Sequence, residues 1–293
     1  MKKRKVKNDS KRATEAAVLA AKAPPATGSW RPFPHSAIIR ALEGALEKRG
    51  LEIAAREYSL GLGGSRVFGV WDFAFVDADG PEYRPVICFR NSTSKQFAFG
   101  VCSGARTTDG VLLLSSDFVL FRRYSETTDS GDLERFADDA VGLAIDNYTE
   151  FRAWLGHLDE AGGLSVGNLL LLGTAAVKDG ILPISYWIDY VDLLIGPNRK
   201  YSASLLGAYY AMADLWSGRS FLASQYKYLA LNRLFRYTAP LLLESLMLNP
   251  AASGLPWLGF DNILEMAKAE AAAAESARVA PWSRDRLKDE ASE

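Results

Sequence analysis

Between positions 36 and 50 the apolar residues recur at helical spacing. In SAIIRALEGALEKRG, Ile38, Ile39, Leu42, Ala45 and Leu46 share one face, with Ser36 placed to cap the helix and Gly50 to end it. The pattern then turns strand-like. LEIAAREYSL predicts an edge strand. RVFGVWDFAFV places Phe, Trp and Val on both alternations, which predicts a central strand covered on both faces. YRPVICFR, QFAFGVCSGAR, and VLLL or DFVLFRR read as further strands, with DADGPE as turn chemistry. Short polar turns between them predict antiparallel neighbours.

From 130 to 158 the period returns to that of a helix. Leu133, Phe136, Ala140, Ala144, Tyr148, Phe151, Leu155 and Leu158 fall on one side, and Glu134, Asp138, Asp139, Asp146 and Glu150 fall opposite. The apolar stripe is suited to a sheet, and the acidic face is a solvated one. Residues 164–247 predict further helices broken at Gly180, Pro183, Gly196–Pro197 and Gly218, and an Ala-rich helix is expected near 261–279. The expected fold class is α+β: an antiparallel sheet of about four to five strands covered by a long helix, then a mostly helical C-terminal half. The expected division is a disordered basic tail (1–33), a sheet domain (34–160), a helical region packed on it (161–250), and an Ala-rich helix with a charged flexible tail (251–293).

Composition is that of an ordinary globular protein, and the net charge of −1 gives no global attraction to nucleic acid or membrane. Any such attraction has to come from local patches. No apolar run reaches the roughly 18 residues of a membrane span, and AAVLAAKAPP is too short and interrupted for a secretory core, so a cytoplasmic protein is expected. Cys88 and Cys102, on neighbouring strands, are expected as free core thiols, with a disulfide between them as the alternative, and with His35 and His157 they form no zinc pattern.

Most catalytic motifs fail on context. GLGGS (61–65) precedes a strand, whereas a phosphate cradle needs a helix N-terminus, so it reads as a mobile turn. GLSVG (163–167) fits G-x-S-x-G, but no histidine follows His157 to take a proton from Ser165. Asp189 and Asp192 share a helix face without further metal ligands, and the sequons at Asn91 and Asn147 carry no meaning in a cytoplasmic chain. No cofactor, metal or small-molecule substrate is indicated. KKRKV looks like a nuclear-import signal, and as a plain basic tail it adds loose nucleic-acid affinity or solubility.

Two basic regions remain. Residues 81–125 hold Arg84, Arg90, Lys95, Arg106, Arg122 and Arg123 against Glu82, Asp109 and Asp117. Residues 198–236 hold Arg199, Lys200, Arg219, Lys227, Arg233 and Arg236 against Asp214 alone, interleaved with Tyr201, Tyr209, Tyr210, Trp216, Phe221, Tyr226, Tyr228 and Phe235. Cations that track a backbone and aromatics that stack on bases are what single-strand binding uses, although aromatics at helical spacing also build cores. In the polar turn at 90–95, Asn91, Ser92 and Thr93 are suited to donate to phosphate oxygens while Arg90, Lys95 and Arg106 supply charge. Ser, Asn and Thr also serve a turn simply by satisfying their own backbone.

Over roughly residues 36–240 the chain resembles the phage- and plasmid-associated family called domain of unknown function 932. The likeness rests on VFGVWDF after a Gly-rich turn, FRNSTSKQFAFGVCSGAR, TTDGVLLLSSDFVLFRR and LLGAYYAMADLWSGR. Asn91, Ser92, Lys95, Gly104, Arg106, Asp109, Asp117 and Arg123 match the family pattern. The family tends to have His at Thr93 and near Tyr124, and Cys-Asp-Asn at Thr108-Asp109-Gly110, and those departures argue against catalysis here. The resemblance implies a mobile-element setting and no established activity. The order of helix, antiparallel strands and long covering helix is also similar in topology to Rad52-like single-strand annealing proteins, which implies DNA in a basic groove beside the sheet and ring-like homo-oligomers. The expected function is therefore a non-enzymatic mobile-element protein that binds single-stranded nucleic acid, such as single-stranded DNA, through a basic sheet-side surface. The alternative is a protein-docking or structural accessory of a mobile element.

Overall fold

The computed structural model describes residues 11–27, 30–74, 83–115, 118–121, 130–217 and 221–238. It is an α+β fold. A seven-stranded antiparallel sheet runs β1 (Lys11–Ala13), β2 (Glu52–Gly61), β3 (Arg66–Ala74), β4 (Tyr83–Ser92), β5 (Phe99–Thr107) and β6 (Leu112–Leu114), with β7 (Val119–Phe121) also paired to β5. The helices are α1 (Glu15–Ala20), α2 (His35–Glu47), α3 (Ser130–Glu160), α4 (Val166–Lys178), α5 (Trp187–Ile195), α6 (Leu205–Asp214) and α7 (Phe221–Arg233), the last continuing as a π turn over Leu234–Thr238.

The four long strands are the ones that alternation predicts. The sheet exceeds the expected four to five strands because VLLL and DFVLFRR, read as alternatives, both form short strands on β5 (β6 and β7), and because of β1, three residues long and too short for a periodic signal. β1 also corrects the expectation of a disordered tail up to residue 33. Lys11–Ala13 pair with Tyr58–Leu60, and Val18 of α1 is fully buried. Residues 1–10, and the helix expected near 261–279, lie outside the described residues.

β3 is covered on both faces. On one, Val67, Trp71, Phe99 and Val101 cluster with Ile38 and Leu42 of α2 and with Leu133, Ala137 and Val141 of α3. On the other, Phe68, Val70, Val86, Cys88 and Cys102 join a cluster with Trp216, Tyr228 and Leu231 from the helical half. Asn232 ties α7 to the sheet by donating to the carbonyls of Leu114 and Ser115, both at 2.8 Å, while its own oxygen accepts from Tyr209 at 2.7 Å. Close approach on the first face demands glycine at position 69, where a Cβ would sit 2.3 Å from the Phe89 ring.

α2 ends as its sequence predicts. Gly50 adopts φ 65°, the Gly50 amide donates to Glu47 and the Leu51 amide donates back to Leu46, a Schellman ending. The start differs: α2 begins at His35 with no side-chain cap. α3 buries the predicted stripe except the half-buried Phe136, adds Ala137 and Val141, and leaves Glu134, Asp139, Asp146 and Glu150 exposed, while Asp138 binds Arg49 at 2.5 Å. Ser165 is the N-cap of α4, its hydroxyl accepting from the Asn168 amide at 3.2 Å. It thus has a helix-capping role. Ser165→Ala should lower stability by about 1 kcal/mol in urea titration.

Candidate functional site

Among the described residues, the cations of the expected basic sheet face are not brought together. Arg84 is exposed at the start of β4, whereas Arg90 lies six residues along the same strand. At about 3.3 Å per residue that is roughly 20 Å. Arg106 is inside the fold. Its guanidinium reaches across β4 to Asp72 on β3, with Nε 2.9 and 3.1 Å from the two carboxylate oxygens, and to Glu57 on β2 at 2.9 Å. Its side chain is 10% exposed and that of Asp72 is 4% exposed, so this cation is fully engaged within the fold. Arg90 is half-buried, its guanidinium 4.5 Å from the centre of the Phe118 ring and 5.4 Å from that of Phe97. Arg122 and Arg123 lie outside the described residues.

Asn91 and its neighbours stabilise the fold. Asn91 is fully buried, and its Nδ2 donates to the Phe33 carbonyl at 3.2 Å and to His35 Nδ1 at 2.9 Å. The Ser92 hydroxyl accepts the amides of Ser94 and Gln96, and Thr93 donates its amide to the Ser65 carbonyl at 2.9 Å. The polar residues of the turn therefore satisfy the turn's own backbone. GLGGS forms a 3-10 turn, Leu62–Gly64, held to α2 by His35 Nε2 donating to the Gly64 carbonyl at 2.9 Å.

The second basic region also resolves into packing. Tyr201, Tyr209, Trp216, Tyr228 and Phe235 are buried, and among the described aromatics there Tyr226 alone is well exposed, at 63%. Lys200 pairs with Asp214 at 2.9 Å, Lys227 donates to the Gly180 carbonyl, and the Arg236 guanidinium lies 5.0 Å from the centre of the Trp154 ring. Arg199 is exposed, with Nε donating to the Tyr201 carbonyl, and Arg233 is exposed; Arg219 lies outside the described residues. These aromatics sit at helical spacing because they are core.

The tertiary structure does gather cations, at the end of the sheet where the β2–β3 and β4–β5 turns meet. A cleft of about 500 Å³ opens there, lined by Lys22, Trp30, Gly63, Ser65, Ser94 and Lys95 among others. Lys95 Nζ lies 4.8 Å from the centre of the Trp30 ring. Lys95 takes φ 60°, which directs the turn around it. The segments meeting here, 20–36, 61–66 and 90–99, contribute Lys22, Arg31, Arg66, Arg90 and Lys95 and not one carboxylate. β1 also enters at this end, since Lys11 faces Leu60, and residues 1–10 before it hold five Lys/Arg against Asp9.

Of the expected contact residues, Lys95 lines this cleft and Arg90 belongs to the same end of the sheet. Lys22 and Trp30 were missed because they fall in the stretch read as disordered. A signal for them exists: positions 16–42, 58–71 and 83–108 contain no Asp or Glu at all.

The thiols of Cys88 and Cys102 face each other across β4 and β5 as free, buried groups. Burial, then the neighbouring thiol, lifts Cys88 well above the ordinary cysteine range, which keeps it protonated and unreactive. Among the described residues no three His, Cys, Asp or Glu side chains gather to hold a metal, and no helix is long and apolar enough to cross a membrane. No family model, curated protein or solved structure matches the chain, so the likeness to domain of unknown function 932 rests on the motifs quoted above.

Proposed function

We propose that this protein is a non-enzymatic binder of single-stranded nucleic acid, and that the turn end of the sheet, rather than a sheet face, is its contact surface. The observation that carries the reading is a cleft lined by Lys22, Lys95 and Trp30, formed by segments that also carry Arg31, Arg66 and Arg90 and hold no carboxylate. Phosphates are drawn to such a field, and an aromatic beside it offers a base something to stack on. Ser94 lines the same cleft, and its exposed hydroxyl can donate to a phosphate oxygen. β1 enters at this end, and the basic run that precedes it in the sequence adds sequence-independent attraction. The resemblance to domain of unknown function 932 supports a mobile-element setting for this activity.

The test is fluorescence anisotropy with labelled single-stranded oligonucleotides at two salt concentrations. Binding that weakens steeply with salt is expected, since counterions are released from each phosphate contacted. Affinity no greater than that of an inert protein of similar charge would remove the proposal.

A further inference from the structure

His35 joins the two walls of the cleft. The side chain is buried, with Nε2 2.9 Å from the Gly64 carbonyl in one turn and Nδ1 2.9 Å from Asn91 Nδ2 at the base of the other. A carbonyl only accepts and an amide nitrogen only donates, so the ring is neutral and carries its proton on Nε2. Protonating Nδ1 would set donor against donor. Asn91 cannot relieve this by turning its amide around, because its Nδ2 also donates to the Phe33 carbonyl at 3.2 Å. A flipped amide would point oxygen at oxygen.

We infer that His35 is an acid-released latch, a positioning residue whose protonation frees the β2–β3 turn from the β4–β5 turn and so changes the shape of the cleft. The charged residues nearest to it along the elements around it are Arg31 in the lead-in to α2, Arg40 on α2, Arg66 on β3, Arg90 on β4, Lys95 in the β4–β5 turn and Lys22 after α1, while Asp72 farther along β3 is held by Arg106. The nearest are all cations. The carboxylates of α1 and α2 nearest this side, Glu15 and Glu43, are both paired with Arg56. Burial lowers the His35 pKa below its ordinary value, against a smaller opposing effect of the Gly64 hydrogen bond. Protons therefore bind more readily once the latch is open. The closed latch is fully favoured above pH 6.5, the ordinary histidine value, and loses ground as pH falls through 6.5 toward the lower value of the closed form.

The Thr93 amide reports on the latch directly, because it bridges the two turns by donating to Ser65. In the full-length protein without nucleic acid, its hydrogen-exchange protection factor should fall up to about tenfold per pH unit below pH 6.5. The Gly110 amide, bonded to Thr107 in the β5–β6 turn, should keep its protection. Nitrogen-15 spectra of the imidazole should show the Nε2–H tautomer at neutral pH. His35→Gln should abolish the pH dependence at Thr93. The wild-type titration stands alone if that variant does not fold. Thr93 protection that is constant while His35 titrates, or an Nδ1–H tautomer, would overturn the latch. The consequence for binding rests on the cleft being the contact surface. Oligonucleotide affinity should change with the same midpoint as Thr93 exchange, and affinity that ignores a confirmed latch would count against the cleft, not against His35.

Discussion

Asp72→Ala should destabilise the protein by about 3–5 kcal/mol, measured by urea unfolding. Asp72 is almost fully buried and holds Arg106 through both carboxylate oxygens. Removing it leaves a guanidinium that is itself 10% exposed, with Glu57 as its remaining ionic partner. Arg106→Ala strands Asp72 in the same way, and Arg106→Glu would set a third carboxylate beside Asp72 and Glu57. Substitution of Arg106 thus unfolds the protein before it reports on nucleic acid. Replacing Asp72 and Arg106 together by apolar residues of similar volume should recover most of the loss, because no charge is then left buried alone. Arg84→Ala, at an exposed site, should stay within about 0.5 kcal/mol of the wild type. A loss below 1 kcal/mol for Asp72→Ala would mean that the ion pair is hydrated and that Arg106 is available after all.

The paired substitution Lys22→Gln with Lys95→Asn should lower single-strand affinity by about 25-fold at 0.1 M salt. The arithmetic comes from counterion release: each phosphate contact on a single strand contributes about 0.7 to the slope of log affinity against log salt. Two contacts contribute about 1.4, or about 25-fold over one decade of salt, and the measured slope should fall by the same amount. Asn is chosen at 95 because that residue has φ 60°, a conformation Asn tolerates better than most side chains. Folding should be unaffected, since both lysines are exposed. The same change made at Arg199 and Arg233, exposed but far along the sequence in the helical half, serves as the control of equal charge. Equal losses from both pairs would point to diffuse attraction and remove the cleft as the site.

The long elements were readable because each carries its own periodicity. β3 shows apolar residues on both alternations and is buried on both faces; α3 shows its apolar stripe over thirty-one residues. Gly50 ends α2 through a local bond pattern that needs no distant partner. β1 was not readable. Three residues, Lys11–Ala13, become a strand only because Tyr58–Leu60 present an unpaired edge, and no local pattern records that edge. Arg106 was misread as an available cation for a related reason. Arg84, Arg90, Lys95 and Arg106 look alike as a list of cations, yet Asp72 and Glu57, thirty-four and forty-nine positions before Arg106, neutralise one of them.

Local order in the chain therefore accounts for which segments are helix and strand, which faces are apolar, and where carboxylates are missing. Those properties arise between residues a few positions apart, within reach of one turn or one pleat. Which cations stay available to a ligand depends on who meets them after folding. Arg106 is neutralised across three strands, Asn91 is held by His35 from fifty-six positions away, and Lys22 and Trp30 come to line one cleft with Lys95 only when α1 and its trailing segment dock beside the Lys95 turn. Long-range pairing is set by the summed burial of both partners, a quantity that neither segment encodes alone.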